Sequence, residues 1–302
     1  MIVQIYEIQT PREAEKCIEL GVDHIGSVIL DRDAWKDPVL RETVRMCRGT
    51  GTKNSLIPLF HHLDTTCRVL DYYGPDFIHF CDTLTDSSGV AADLSGFIEL
   101  QRELRERFPA IRIIRSIPIP REGVAPEYPC LQLAKELEPF SDLFLTDTWL
   151  GKEPVEGFIG ITGETVDRAI ARSLVLQSRI PVILAGGLSP ENVHQALLEV
   201  RPAGADSCTL TNRVDDGGKP IRFQKDFDRV ENFVKETRKA EKALTEVKKA
   251  VLARLDKLRD DLEDREKALP AHSVRPHQIM VIEELEEKIE SVEKELLGFQ
   301  WL

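Results

Sequence analysis

The stretch Pro181-Val-Ile-Leu-Ala-Gly-Gly-Leu-Ser-Pro-Glu-Asn-Val193 reads as a strand, a glycine turn and the start of a helix. The apolar run from Val182 to Ala185 ends in Gly186-Gly187. Ser189 is then placed to cap a helix with Pro190 at its first position and Glu191 in its first turn. Backbone N–H groups in a turn without Cβ atoms, beside the positive end of a helix dipole, suit a phosphate. Spacing alone leaves a second reading open, a tight turn of small residues that binds nothing.

The same alternation extends back to the N-terminus. Short β-branched runs at 2–8, 24–30, 55–60, 77–81, 111–117, 143–146, 182–185 and 206–210 are strand candidates. Amphipathic segments between them, at 11–20, 38–48, 94–108, 128–140, 165–178 and 190–200, are helix candidates. Gly21-Val-Asp23 and Gly204-Ala-Asp206 each close a helix and lead into a strand. Eight such units in about 230 residues predict an α/β protein, a closed (β/α)8 TIM barrel. A doubly wound open sheet is the alternative, and the strand count disfavours it. In both folds ligands gather at the carboxyl ends of the strands.

Beyond the barrel the composition changes, which divides the chain into domains 1–236 and 237–302. Residues 226–269 are charged and helix-favouring, with no glycine or proline. Leu244, Val247, Val251, Leu258 and Leu262 fall near a three/four spacing. Pro270-Ala-His-Ser-Val-Arg-Pro276 then breaks the helix, and Ile282, Leu285, Ile289, Val292 and Leu296 follow in heptad register. This predicts a coiled-coil-like antiparallel α-helical hairpin as a C-terminal extension. Its two apolar stripes can zip together, or they can dock a second copy or another protein; Phe299 and Trp301 add apolar surface at its end.

The 302 residues carry a formal net charge of −12, which argues against nucleic acid as a partner. No apolar run approaches the ~20 residues that span a bilayer, and MIVQIYEIQT lacks the basic and apolar regions of a signal peptide. Cys17, Cys47, Cys67, Cys81, Cys130 and Cys208 form no CxxC pair, so a cytoplasmic protein with reduced thiols, away from membranes, is expected.

On its motifs the chain resembles the phosphoribosylanthranilate isomerases, (β/α)8 enzymes of the tryptophan pathway. Ala185-Gly-Gly-Leu-Ser-Pro-Glu-Asn-Val193 is similar to that family's seventh-strand phosphate loop. Leu145-Thr-Asp-Thr148, with Gly160-Ile-Thr-Gly163 after it, resembles the family's sixth strand end and glycine-rich loop. Weaker similarity lies in Val3-Gln-Ile-Tyr-Glu-Ile8, Gly21-Val-Asp-His-Ile-Gly26 and Lys225-Asp226. The resemblance covers roughly 1–236 and implies an Amadori-type rearrangement of a phosphorylated aminoaldose into an aminoketose, with no cofactor. It implies Asp147 as the general acid, and Gly186, Gly187, Gly163 and Thr209 around the phosphorylated substrate.

The family's base is a cysteine in a lysine-isoleucine-cysteine-glycine motif. Here that stretch reads Gln4-Ile5-Tyr6-Glu7, so Tyr6 stands at the base position. A phenol, with a reference pKa near 10, is a poorer base than a thiol near 8.5. Strand alternation puts Glu7 on the face opposite Tyr6, towards the helices. The family's serine-serine-glycine at the eighth strand becomes Cys208-Thr-Leu210, which removes a phosphate-loop glycine.

Other groups suggest other chemistry. His61, His62 and Asp64 follow the third strand, and Cys81 and Asp82 the fourth; these are ligand types for a divalent metal. No metal is assigned, and His61, His62 and Cys81 remain the candidate ligands for a metal-dependent barrel enzyme. Arg115 can hold an anion at the mouth or pair with a carboxylate in the core. Cys208 is an alternative thiol base or an inert buried cysteine. Trp149 can stack on a ring or serve as a packing anchor. A non-catalytic scaffold that works through its hairpin is the third reading.

Overall fold

Runs such as Val182–Leu184 are apolar at every position, and Phe77–Phe80 at every position but His79, because parallel strands are covered on both faces, by the barrel interior and by the helices. The computed structural model describes residues 1–124, 127–270 and 275–302. Strand β1 (Ile2–Ile5) leads to helix α1 (Pro11–Glu19), β2 (His24–Ile29) to α2 (Pro38–Met46), and β3 (Lys53–Pro58) to α3 (Leu63–Tyr73). Then come β4 (Phe77–Phe80) and α4 (Ser95–Arg107), β5 (Arg112–Pro120) and α5 (Cys130–Leu137), and β6 (Leu143–Trp149) and α6 (Arg168–Gln177). The series ends with β7 (Val182–Leu184), α7 (Val193–Val200) and β8 (Gly204–Ser207). The eight strands form a closed parallel barrel in sequential order, as the strand count predicts.

Closure rests on the β1–β8 pair, where Ile2 lies beside Gly204 and Gln4 beside Asp206. A Cβ at Gly204 would lie 2.3 Å from the Ile2 carbonyl oxygen, so only glycine lets the two strands meet. Tyr6, Val28, Ile57, Phe77, Ile114, Leu145 and Ile183 pack together inside the barrel. Helix starts follow from caps: Thr10 and Glu13 form a capping box on α1, and Asp37 and Asp167 accept the first amides of α2 and α6.

Several element ends differ from the sequence expectation. β1 stops at Ile5 rather than continuing to residue 8. β6 runs on to Trp149, which carries Asp147 within the strand. α7 starts at Val193 and not at Pro190; Ser189 accepts the Glu191 amide at 3.2 Å and forms a turn ahead of the helix. β8 ends at Ser207, and Thr209–Thr211 is a short 3-10 turn rather than strand.

A two-stranded antiparallel sheet follows, β9 (Asn212–Val214) and β10 (Pro220–Lys225). The chain divides into two compact units, Met1–Ala240 and Glu241–Leu302. Helix α8 (Phe227–Lys267) starts in the first and ends in the second, and α9 (Pro276–Leu297) lies wholly in the second. Val230, Phe233 and Val234 of α8 are buried in the first unit. In the second, Arg254 pairs with Glu295 and Arg259 with Glu293, an antiparallel register between the two helices. Leu258, Leu262, Ile282, Leu285 and Ile289 are half-buried along them. Of the predicted break at 270–276, residues 271–274 lie outside the described residues.

Candidate active site

The carboxyl ends of the strands surround a largely apolar cavity of about 590 Å³ out to its open mouth. Its polar groups are few: Tyr6 and Glu7 after β1, His79 on β4 with Cys81 after it, Asp147 on β6, Asp206 on β8, Cys208, and Arg222 on β10. Asp147 and Asp206 also border an adjoining recess of about 330 Å³.

Asp147 is the most informative of these. Burial pushes its carboxyl up to about 7, and the Thr148 amide, donating to Oδ1 at 2.9 Å, opposes this only in part. The loop after β6 closes over it at Gly160, where φ is +113° and a Cβ would stand 2.7 Å from Oδ2. Asp206 is a second such group. Burial raises it to about 8, the Gln4 Nε2 hydrogen bond at 3.1 Å lowers it, and the charge of Asp147 raises it further. The sequence reading used Asp206 only to begin a strand. Its signal is register, since it is the inward neighbour of Gln4.

The adjoining recess brings together Gly163, Gly186, Gly187 and Thr209. The side chain of Thr209 lies 3.7 Å from where a Cβ on Gly163 would be. Both glycines of the seventh-strand turn have positive φ, +92° and +57°. A Cβ on Gly186 would strike Thr148 and Val166, and one on Gly187 would lie 2.5 Å from the Glu164 backbone. Packing of the β6–α6 loop therefore requires the pair whether or not a ligand is held. Among the described residues, the amides of Gly163, Gly186 and Gly187 donate to no protein acceptor. That leaves donors at the recess for an anion.

Tyr6 sits on the cavity floor, but its hydroxyl is engaged elsewhere. The phenol reaches Ser55 Oγ at 2.7 Å and His79 Nδ1 at 2.5 Å, and His79 Nε2 in turn meets Ser116 Oγ at 2.7 Å. Its ring covers Gly26, where a Cβ would stand 2.1 Å from Cδ1. Burial pushes the phenol well above its ordinary value, and burial likewise lowers His79 to about 3. At the base position, then, stands a phenol whose hydroxyl is engaged by Ser55 and His79.

The expectation for Glu7 is corrected. Because β1 ends two residues earlier and Glu7 has φ +60°, alternation no longer applies, and its side chain borders the cavity instead of the helices. Arg222 Nε donates to Glu7 Oε1 at 2.7 Å, and the Phe223 amide donates to Oε2 at 3.3 Å. The Cys208 thiol is hydrogen-bonded to the same carboxylate, and burial raises that thiol beyond use as a base at neutral pH.

Of the remaining candidates, only Cys81 lines the cavity. Arg115 is fully buried on the outer face of β5, where it pairs with Asp82 and donates to Gln101 Oε1 at 2.9 and 2.6 Å. It is a core ion pair and not an anion-binding group. Burial works to raise the Asp82 carboxyl, yet Arg115 and His61 together hold it below its usual value. His61 pairs with Asp82, His62 caps α3 by accepting the Thr65 amide at 3.2 Å, and Cys81 lines the cavity. These three candidate ligands do not converge, and the described residues contain no cluster of three or more metal-ligating side chains. Trp149 is a packing anchor, buried against Tyr128 with ring centroids 4.9 Å apart.

Eight parallel strands, buried carboxyls at their carboxyl ends and a glycine-lined recess beside them define a barrel of the type that presents its ligand site on that face. The chain belongs to the phosphoribosylanthranilate isomerase family. The family model for N-(5'phosphoribosyl)anthranilate (PRA) isomerase matches residues 99–236. N-(5'-phosphoribosyl)anthranilate isomerase of Methanocella arvoryzae is 30% identical over 240 residues, 78% of this chain and 97% of that protein. N-(5'-phosphoribosyl)anthranilate isomerase 2 of Methanosarcina mazei is 35% identical over 137 residues, 43% of this chain and 57% of that protein. The crystal structure of the Thermotoga maritima phosphoribosyl anthranilate isomerase shares the fold, with a TM-score of 0.58 and 22% identity over 79% of this chain and 99% of that one.

Proposed function

We propose that the barrel catalyses the isomerisation of phosphoribosylanthranilate, an intramolecular aldose–ketose rearrangement with Asp147 as general acid. The observation that carries this is the Asp147 carboxyl, raised to about 7 and facing the cavity beside a recess with free amide donors. A carboxyl that keeps its proton near neutrality can give it to the furanose ring oxygen. The C1–O bond then breaks, and the nitrogen lone pair forms C1=N. Removal of the C2 proton sends that bond's electron pair into C1=C2 and returns the nitrogen its own pair. The enaminol so formed tautomerises to the aminoketose.

The phosphate belongs in the recess, against the amides of Gly163, Gly186 and Gly187 and the Thr209 hydroxyl. Tyr6 takes the place of the family cysteine as packing for Gly26 and not as its chemical substitute. The purified chain should convert phosphoribosylanthranilate to the ketose, and Asp147→Asn should lower turnover by about 100-fold or more while product still binds. Absence of conversion by the parent chain, or an Asp147→Asn variant as fast as the parent, would overturn the proposal.

A further inference from the structure

With the Tyr6 phenol bound to Ser55 and His79, the C2 proton needs another acceptor in the cavity. His79 has both ring nitrogens engaged, by Tyr6 and by Ser116. Besides Asp147, the cavity then offers four anionic or nucleophilic groups: Asp206, Cys81, Cys208 and Glu7. Cys81 lies on the β4 side of the cavity, and burial pushes its thiol well above its ordinary value. Asp206 lies a layer deeper, level with Gln4, which donates to it. It is also raised to about 8 and so carries a proton at neutral pH. The Cys208 thiol is raised by burial and is itself a donor to Glu7. Glu7 remains.

We infer that Glu7 is the base that removes the C2 proton, held in position by Arg222. Glu7 follows β1 and Asp147 lies on β6, three strands apart around the ring, so the two groups reach a common cavity from well-separated sides. Arg222 Nε and Nη2 both meet Oε1 at 2.7 Å, which anchors that oxygen and leaves Oε2 turned away from the guanidinium. Oε2 has the 3.3 Å Phe223 amide contact, the Cys208 thiol is a further, weak donor to the carboxylate, and a carboxylate offers about four lone-pair sites. Oε2 is therefore the oxygen free to take a proton. The step balances as written above: the C2–H proton passes to the carboxylate, and the electron pair stays with carbon to form C1=C2.

The backbone supports the assignment. Glu7 is buried with φ +60°, a region where a bulky L residue is uncommon, and it stands where the related motif has glycine. A glycine there would relieve the backbone, so the side chain is held in spite of its conformation and not because of it.

This inference rests on the isomerase proposal, and one set of measurements separates the two. Glycine suits φ +60°, so Glu7→Gly removes the carboxylate with little risk to the fold. Turnover should fall by about 100-fold or more while product binding, measured by titration, stays within a few-fold of the parent. Acetate or formate, seated beside Arg222 in the space left by the side chain, should restore turnover in a saturable way. Glu7→Asp should keep partial turnover and show a larger isotope effect with substrate deuterated at C2. A parent that converts substrate, with Glu7→Gly converting it equally fast, overturns this inference alone. Loss of product binding in proportion to turnover, or no rescue by either carboxylate, overturns it too. A parent without conversion overturns the isomerase proposal itself.

Discussion

Asp147 and Asp206 hold their protons in a pH range where free carboxyls have lost theirs, because burial withholds the water that would solvate the charge. Each native value lies above the unfolded one of about 3.9, so folding takes up protons in the window between. The stability this confers is present in full below about pH 4. It is lost as the pH rises through about 7 for Asp147 and about 8 for Asp206. Asp147→Asn removes a charge that the native site must otherwise bury. Compared by urea unfolding, the variant should gain on the parent between pH 5 and pH 8 by on the order of 2 kcal/mol. A difference that is the same at both pH values would show that Asp147 is ionised throughout. Tyr6 and Gly26 illustrate a second residue-scale feature: at the position of the family cysteine stands a ring that packs on a glycine and leaves no room for a Cβ there.

At the scale of elements, β5 and α4 are joined by Arg115, which contacts Asp82 and Gln101 with no exposure to solvent. Removing one partner from such a pair leaves a buried charge without compensation. Arg115→Met should therefore destabilise the chain by about 3–5 kcal/mol in denaturant unfolding, far more than loss of a rim arginine. A cost below about 1 kcal/mol, the usual value for an exposed pair, would return Arg115 to the surface. Strand existence was legible from apolar runs and glycine stops, since those reflect burial on two faces. Strand ends were not legible. Whether β1 continues to Glu7 depends on φ at one residue, and no periodicity carries that information. The assumption of a longer strand placed Glu7 on the wrong face. The β9–β10 sheet has a sequence signal of its own, the turn Asp216-Gly217-Gly218, with φ +78° at Gly218 and Asp215 accepting the Gly217 and Lys219 amides. That turn is what folds β10 back and carries Arg222 to the mouth.

For the molecule as a whole, the barrel and its family were readable from motifs at β6, β7 and the loops after them, because strand-end glycines and a carboxylate fix both packing and site. The base was not readable, because it lies in a residue that the related motif replaces by glycine. The family match ends at residue 236, and the helices of the second unit follow it with their own antiparallel ion pairs. What the barrel does therefore rests on the mouth of the first unit. The most direct measurement is kcat/KM for phosphoribosylanthranilate as a function of pH, since that ratio reports ionisations of the free protein. With Asp147 as the acid, kcat/KM should fall about tenfold per pH unit above about pH 7. A profile that stays level to pH 9, or no conversion at any pH, would contradict it.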